Sequence, residues 1–437
     1  MDELTRECIL YFQSKKGFHR LFSKMKNRYR SLGRVGGSVV ITKPTDEERD
    51  VLEGFFQQSY RKQQTITISL ERMDKILQNT RFSGVTLEDV LNGYFYHPIQ
   101  TKAEEKSLKK EKEERLWGNI IEVYEGTFSG AWLRFIYHQR GAIFQLVSKM
   151  LEEDHDGIEG LLNAGNALPV FENKAERLAI FSTKMTKNPH YFDEGTTGNT
   201  ILLSMARYFS NRNMNQEGEN KKQDNYQTIV KNELLYRVGL MREDILNYTN
   251  IYGIHMKKDD GTMHEGGEGF IKENEPFQVS LLTLSKIKSA KIEGNVVYVV
   301  ENSGVFSELV ERTKYPRAII CTNGQLHLAS LVLLDILYQE GYTLYYAGDF
   351  DPEGILIAQR LKDRYGKSLC LWHYTKDDYE KAMSNVRLTD TRLKKCKAID
   401  VPELNQVKNL ILESELAGYQ ESLIEDYLED MERNSIS

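Results

Sequence analysis

Three carboxylates fall where the sequence could build a metal-binding site. Glu301 directly follows the apolar run NVVYVV, and Asp349 and Asp351 follow the run TLYYA within AGDFDPEG. Grouped carboxylates repel one another and are costly to remove from water unless a positive charge neutralises them, so a hard divalent cation is their natural partner. Magnesium suits oxygen ligands and keeps water positions that a phosphate oxygen can take. These residues therefore predict metal-assisted phosphoryl chemistry.

The spacing of the two aspartates adds to this prediction. Their i,i+2 separation on a tight turn allows both side chains to reach one ion, and Pro352 and Gly354 favour a helix that starts directly after them. The N–H groups of such a helix start favour a phosphate. Acids also cap helices routinely, so an isolated Asp pair would be weak evidence. Its combination with a strand-end glutamate two strand–helix units earlier is more specific.

The elements that position these acids are predicted to form a buried parallel sheet. NVVYVV, AIIC, TLYYA and SLCLW are apolar runs without alternation, and helix-like patterns separate them. Such strands indicate a sheet that is covered on both faces. With right-handed crossovers, the carboxyl ends of neighbouring strands share one edge, where ligands bind. Glu301, Asp349 and Asp351 should therefore converge at that edge.

The chain as a whole predicts an α/β multidomain protein, because its 437 residues exceed what one core normally holds. We predict a mainly helical (α+β) amino-terminal domain over residues 1–170, with strands at Ser38–Thr42 and Gln64–Ser69. A helical, winged-helix-like region of a DNA-binding kind follows over 171–288, then a Rossmann-like parallel sheet over 289–385 and a helical tail over 386–437.

The winged-helix prediction depends on the order of elements in the second region. A helix, a break at Val238–Leu240, a second helix, a strand near Ile251–His255 and a glycine-rich, hairpin-like run to residue 269 match that order. Two helices and a hairpin occur in many folds, so the pattern alone leaves other folds open. The polar stretch of residues 211–224 predicts a surface loop.

Composition narrows the class of protein. A hydrophobic fraction of 40% with 24 tyrosines is typical of a folded protein. The four cysteines lack zinc-ligand spacing and fit a reducing compartment. The start MDELTRECILYF has acids where a signal peptide needs a basic start, and the longest apolar run, LASLVLLDILY, is broken by Asp335 and is too short to span a bilayer. We therefore expect a cytoplasmic protein without a membrane segment.

Basic residues cluster at two places, although the net charge is −6. Eight Lys or Arg residues and no acid occur from Lys15 to Arg34, and Arg387, Arg392, Lys394, Lys395 and Lys397 follow the predicted sheet. A solvated surface is the default explanation for both clusters. Contact with DNA, or with a partner subunit for the first cluster, is the alternative.

The segments VVENSG, CTNGQ and YAGDFDPEGILIA resemble the Toprim domain of topoisomerases, primases and related nucleases, and most closely the version in topoisomerase VI A subunits. The resemblance covers roughly residues 290–380. It implies that Glu301, Asp349 and Asp351 bind magnesium and that Glu353 is an auxiliary acid. The region 289–385 is thus expected to be a Toprim catalytic domain.

A wider resemblance is carried by NALPVFENKAERLAIFSTKMTKNPHYFD, KNELLYRVGLMREDILNY and GYQESLIEDYLEDM. These segments are similar to a bacterial family of Toprim-ended proteins related to JetD, the nuclease subunit of Wadjet systems, in which an SMC-type motor complex eliminates plasmids. The resemblance implies a DNA endonuclease with one or two Mg²⁺ or Mn²⁺ ions, double-stranded plasmid DNA as substrate and SMC-type partner subunits. Symmetric cutting of both strands needs two sites, so a homodimer is expected.

Other functions remain open. Topoisomerase VI A subunits use a tyrosine nucleophile, but Tyr236, Tyr248 and Tyr252 show no recognisable match, so hydrolysis by a metal-activated water is favoured. The alternatives are a tyrosine-dependent strand breaker, an RNA-directed Toprim nuclease or primase-like polymerase, and a non-catalytic DNA-binding subunit with a structural metal. His327, His373 and Cys321 are expected to have structural roles.

Overall fold

The computed structural model describes residues 2–213, 227–314 and 316–433, which form two compact units, Met1–Glu125 and Gly126–Ser437. Each unit has a hydrophobic core of its own, and the architecture is mixed α/β. The predicted region boundaries after residues 170, 288 and 385 stay predictions. Most of the predicted polar loop, residues 214–224, lies outside the described residues.

The first unit, Met1–Glu125, is mainly helical. Its helices are α1 Glu3–Gln13, α2 His19–Leu32, α3 Asp46–Phe56, α4 Leu70–Gln78, α5 Leu87–Tyr94 and α6 Lys102–Val123, with a 3-10 turn at Lys16–Phe18. The two predicted strands are confirmed as β1 Ser38–Thr42 and β2 Thr65–Ser69, which pair antiparallel. Threonines cap α3, α5 and α6. In each cap the threonine side chain accepts from the N–H of the third helical residue, and the acidic side chain of that residue accepts from the N–H of the threonine.

The first basic cluster lies mostly on α2, an amphipathic helix. One face buries Leu21, Phe22 and Met25 in the core. On the opposite side Arg30 Nη2 lies 2.6 Å from Glu105 Oε1. Both of these side chains are exposed, so this ion pair contributes little to stability.

The second unit alternates helices and strands. Its helices are α7 Phe128–Gln139, α8 Ala142–Glu153, α9 His155–Asn166, α10 Leu178–Thr186, α11 Thr197–Asn213, α12 Gln227–Arg237, α13 Glu265–Lys272, α14 Leu281–Leu284, α15 Ser303–Arg312, α16 Leu328–Gln339, α17 Pro352–Tyr365, α18 Lys376–Ala382, α19 Asp390–Cys396, α20 Asn405–Ser414 and α21 Ile424–Arg433. Its strands are β3 Glu176–Arg177, β4 Leu240–Met241, β5 Tyr248–Tyr252, β6 Ile254–Lys258, β7 Phe277–Ser280, β8 Ile287–Ile292, β9 Val296–Val300, β10 Ala318–Cys321, β11 Thr343–Ala347, β12 Leu369–Leu371, β13 Met383–Arg387 and β14 Leu416–Gly418. Short 3-10 turns occur at Pro169–Glu172, Gly366–Ser368, Pro402–Leu404 and Gln420–Leu423. Over the described part of the chain, no helix combines the length and apolar character that crossing a bilayer requires.

A six-stranded mixed sheet organises the second unit, in the order β12-β11-β9-β10-β5-β7. The four strands predicted from the apolar runs, β9 to β12, pair in parallel as expected. The antiparallel strands β5 and β7, which were not predicted to join this sheet, extend it on the β10 side. Smaller two-stranded pairings are β3 with β4, β6 with β8 and β13 with β14.

The strand order creates a switch point between β9 and β11. From β9 the chain moves to β10 on one side, and from β11 it moves to β12 on the other, although β9 and β11 are hydrogen-bonded neighbours. An ion pair between Arg364 of α17 and Asp335 of α16 joins the helices that follow β11 and β10. The helix after β9, α15, instead packs against α21. Ligands of open α/β sheets bind in the crevice at such a point.

The predicted helix after Leu240 is absent, because residues 242–247 form turns that tertiary contacts hold. The N–H of Leu282 donates to the carbonyl of Asp244, and the N–H of Ala329 donates to Asn247 Oδ1 at 2.7 Å. The glycine-rich run to residue 269 contains the start of helix α13 rather than only a hairpin. The local order therefore differs from the one that suggested a winged helix.

His373 joins the end of β12 to two helices. Its Nδ1 lies 2.8 Å from Asp378 Oδ1 in α18, and its Nε2 lies 3.1 Å from Asp430 Oδ2 in α21. Burial acts to lower the pKa of His373, but Asp378 and Asp430 raise it overall. Burial acts to raise the pKa of Asp378, yet hydrogen bonds from His373 and Thr375 bring it to about 2. The imidazolium form is thus the one that this contact stabilises.

We predict that His373→Gln destabilises the protein most in mildly acidic solution. The stabilisation from His373 is complete below its unfolded pKa of about 6.5 and is lost as the pH rises through the raised folded value. The contribution of Asp378 persists until the pH falls through about 2. Urea unfolding should show a deficit on the order of 1 kcal/mol near pH 5 that shrinks above pH 7. His190→Gln, which breaks an exposed pair with Asp193, is the control. A deficit that does not change with pH would contradict the prediction.

Candidate functional site

Glu301 and Asp349 meet at the switch point of the sheet. Glu301 directly follows β9, and Asp349 lies two residues after β11. The backbone N–H of Asp349 donates to Glu301 Oε2 at 3.1 Å, and the Glu301 residue is only 7% exposed. The predicted convergence of these two acids is therefore present in the structure.

Two glycines make room for the Glu301 carboxylate. A Cβ on Gly348 would lie 2.6 Å from Glu301 Oε2, and one on Gly354 would lie 3.0 Å from the same atom and 2.3 Å from the Asp349 carbonyl oxygen. Real Cβ atoms essentially never approach another atom within 3.0 Å, so the contacts at 2.6 Å and 2.3 Å would force a shift. The glycines of AGDFDPEG thus allow the loop after β11 to close over the carboxylate.

Burial and the charges of neighbouring acids raise the pKa values of Glu301 and Asp349. Burial raises the pKa of Glu301 to about 8, and the charge of Asp349 adds to the increase, against the hydrogen bond from the Asp349 N–H. Burial likewise raises the pKa of Asp349 to about 6, although the N–H of Gln420 opposes the increase. Strongly perturbed carboxyls in a sheet-edge crevice are typical of functional sites.

Asp351 and Glu353 have a different environment. Asp351 caps α17 by accepting from the Gly354 N–H at 2.8 Å, and its Oδ2 pairs with Arg392 Nη2. Glu353 Oε2 accepts from Arg392 Nη2 at 2.6 Å, and its Oε1 accepts from Lys395 Nζ at 2.7 Å. Burial acts to raise the pKa of Glu353, but these two cations lower it overall. Two members of the second basic cluster, Arg392 and Lys395, therefore compensate Asp351 and Glu353, the outer acids of the site.

The carboxy-terminal region contributes residues that sequence reasoning did not assign to the site. Gln420 donates its backbone N–H to Asp349 Oδ1 at 3.1 Å, and Asn302 Nδ2 donates to Glu421 Oε1 at 2.6 Å. Gly418 also exchanges backbone hydrogen bonds with Phe350, between the two aspartates. Asn302 could have been suspected from its place beside Glu301. Nothing in the spacing of Gln420 and Glu421 indicates their position.

Within the described residues, no three His, Cys, Asp or Glu side chains are arranged to hold a metal ion. The contacts explain this arrangement. Glu301 accepts the N–H of Asp349, Asp349 accepts the N–H of Gln420, and Asp351 is paired with Arg392. Asp349 and Asp351 still lie close enough to raise the pKa of Glu301 by their charge. The three acids therefore lie near one another, but their carboxylates do not converge on a single metal position within the described residues.

Of the three tyrosines considered as nucleophiles, Tyr248 lies at the sheet edge that carries the acids. It is the first residue of β5, two residues before Asn250, which pairs with Cys321 at the end of β10. Its ring stacks on His327, with centroids 6.4 Å apart. Tyr252 ends the same strand at the opposite edge. Burial raises the pKa of Tyr236, in α12, to about 12.

Burial shifts the pKa values of both His327 and Cys321. Burial lowers the pKa of His327, the residue before α16, and Glu243 acts against this decrease. Cys321 is fully buried in β10, and its Sγ lies 3.6 Å from the carbonyl oxygen of Glu301. Burial raises the pKa of this thiol to about 11, as expected for an unreactive core cysteine.

Two family models match the chain. One, described as a protein of unknown function N-terminus (DUF3323), matches residues 35–256, about half of the chain. The other, described as a protein of unknown function C-terminus (DUF2399), matches residues 277–431 and so includes every acid of the site. The comparison with curated proteins found no match.

We predict that Gly354→Ala destabilises the second unit. The new methyl group would meet the Asp349 carbonyl, which is backbone and cannot rotate away, so a cost of about 1–3 kcal/mol is expected. Urea unfolding measures the loss. Gly269→Ala in α13 is the control, since its Cβ would have no neighbour within 4 Å and alanine favours a helix. Equal stability of the two variants would contradict the close packing around Glu301.

We also predict that Glu301→Gln stabilises the protein without added metal. Because the folded pKa is raised from 4.5 to about 8, the carboxyl loses its contribution to stability as the pH rises through that range. A neutral glutamine keeps an oxygen for the Asp349 N–H, so its melting temperature should exceed that of the wild type increasingly towards pH 8. Glu308→Gln, which changes an exposed acid of α15, should have little effect. A lower melting temperature for Glu301→Gln would oppose the prediction.

Proposed function

The chain belongs to the DUF3323 family, and we propose that it is a metal-dependent endonuclease that hydrolyses phosphodiester bonds of double-stranded DNA. The observation that carries the proposal is the direct contact between Glu301 and the Asp349 N–H at the switch point of the sheet. Two carboxyls line this pocket, and burial together with neighbouring acids raises the pKa of both. Such a pocket is suited to a divalent cation.

The residues of the site fit Mg²⁺ or Mn²⁺, one or two ions, with Glu301, Asp349 and Asp351 as the ligands. All three offer carboxylate oxygens, which these hard cations prefer. The buried carboxylates repel one another and have lost contact with water. A bound cation would neutralise their charge and so offset both costs. When bound, the ion would lower the pKa of a water molecule and neutralise charge on the phosphate.

Contacts within the chain hold the three proposed metal ligands in position. Gly348 and Gly354 let the loop after β11 lie against the carboxylate of Glu301, which is buried. The N–H of Gln420 holds Asp349, so the carboxy-terminal segment completes the site. The N–H of Gly354 is taken by Asp351, so this donor of the helix start is not offered to a phosphate. Positioning of this kind is what phosphoryl transfer mainly requires of a protein.

The resemblance to Toprim domains supports DNA cleavage over other phosphoryl chemistry. It implies that Glu301, Asp349 and Asp351 are metal ligands, whereas Glu353, paired with Arg392 and Lys395, is better suited to a positioning role. The wider resemblance to JetD-related proteins supports a role in plasmid defence with SMC-type partner subunits. A homodimer in the cytoplasm would supply the two sites that a double-strand break needs.

A tyrosine-dependent strand breaker is the second candidate, and the position of Tyr248 favours it. This tyrosine lies at the same edge of the sheet as the acids and stacks on His327. Hydrolysis is preferred because the tyrosine lacks a sequence match to the family of paired-tyrosine nucleophiles. A denaturant-trapped covalent adduct between protein and DNA would reverse this preference.

We predict that the protein cuts supercoiled plasmid in the presence of Mn²⁺ and that Glu301→Ala and Asp351→Ala slow the cut by at least about 100-fold. Gel assays of linear and nicked product measure the rates. Tyr248→Phe and Glu308→Ala should cut like the wild type, since neither supplies a predicted metal ligand. Equal rates for all variants would exclude a metal centre at these acids.

If the wild-type protein alone does not cut plasmid, the same assay is repeated with partner subunits added, because the resemblance implies that an SMC-type complex controls the cut. An RNA substrate cut in preference to DNA would assign the chain to the RNA-directed class. Retention of plasmid without any cut, in the complete complex, would favour a non-catalytic DNA-binding subunit.

A further inference from the structure

Helix α19 brings two basic side chains to the acidic site. It packs against α17, whose first turn contains Glu353 and directly follows Asp351. Arg392 and Lys395 are three residues apart and so occupy the same face of this helix. Both point to the start of α17, where they meet two of the four acids.

The two acids share Arg392 unequally. Glu353 Oε2 accepts from both Nε at 3.0 Å and Nη2 at 2.6 Å of Arg392, whereas Asp351 accepts from Nη2 alone. Lys395 Nζ contacts the other oxygen of Glu353. Arg392 would therefore stay attached to Glu353 if its contact with Asp351 were lost.

Both oxygens of Asp351 are engaged by the chain. Oδ1 accepts the Gly354 N–H that caps α17, and Oδ2 pairs with the guanidinium of Arg392. The side chain of Asp351 is 16% exposed, so little of its surface remains for another ligand. A cation can reach Oδ2 on favourable terms only when the guanidinium moves away, because two cations at one carboxylate oxygen repel each other.

We propose that Arg392 is an internal cation that competes with the divalent metal for Asp351, so that metal loading requires α19 to release this carboxylate. The inference rests on the proposed metal site. Glu353 is then the anchor that keeps the displaced guanidinium beside the site, and Lys395 is a second cation that keeps Glu353 from binding the metal itself. Arg392 is a positioning residue of the site and not a ligand.

The competition has a direct consequence for metal affinity. Removal of Arg392 should make Mn²⁺ bind more tightly, because the metal no longer displaces a charge-assisted hydrogen bond. We expect a gain of about five- to tenfold in affinity for Arg392→Met. A role in which Arg392 only orients Asp351 for the metal predicts the opposite sign.

The experiment is a titration of the full chain with Mn²⁺ alone, in which the free ion is followed by its paramagnetic resonance signal. Wild type, Arg392→Met and Lys394→Met are compared at one pH. Lys394 is an exposed residue of the same helix, so its variant removes the same charge without touching Asp351 and reports the general electrostatic effect. Arg392→Gln, which can still donate to Glu353, replaces the methionine variant if that protein fails to fold.

Tighter binding by the Arg392 variant, with Lys394→Met close to wild type, is the expected result. Equal or weaker binding by the Arg392 variant overturns the inference, as does an equal gain in both variants. Failure of both the wild type and the Arg392 variant to bind Mn²⁺, or binding that Glu301→Ala and Asp351→Ala leave unchanged, would instead remove the proposed function. The two failures are therefore distinguishable.

Discussion

The repulsion between Glu301 and Asp349 at the edge of a buried sheet is the constraint on which the rest of this site depends. Parallel pairing of β9 and β11 puts the ends of both strands side by side, and the chain continues from each with an acid. Burial then denies water to the two carboxyls, and their pKa values rise. Such an arrangement costs stability, and carboxyls perturbed in this way are often found at functional sites.

The chain offsets part of this cost with fixed dipoles and charges from distant segments. A backbone N–H from Gln420 reaches Asp349, and α19 supplies Arg392 to Asp351. These contacts explain why the region after the sheet folds back on it instead of forming a separate tail. The pairing of β13 with β14 and the contact of Gly418 with Phe350 hold that region in place. The fold of the carboxy-terminal region therefore determines how the charges at this sheet edge are stabilised.

Much of this could be predicted from the sequence, because it follows from local pattern. Apolar runs without alternation predict the four parallel strands. The positions of Glu301 and Asp349 after two of these runs predict that the two acids lie close together. The contacts made across long sequence distances were not predictable in the same way. β5 joins the sheet antiparallel, and Gln420 and Arg392 reach the acids from 71 and 41 residues away. The turns at residues 242–247 replace a predicted helix because side-chain and backbone bonds to other elements outweigh local propensity.

The four acids of the AGDFDPEG and VVENSG segments divide into two classes, and this division indicates where a cation would act. Asp351 and Glu353 have cations of the chain as partners, whereas Glu301 and Asp349 accept from backbone N–H groups within the part of the chain that the structure describes. An N–H dipole stabilises a carboxylate less than a full charge does, so the residual negative potential is largest between β9 and β11. A divalent ion would therefore gain most at the inner pair and would take Asp351 only in exchange with Arg392. On the proposed metal site, Asp351 and Glu353 would thus tune the occupancy of a site that Glu301 and Asp349 create.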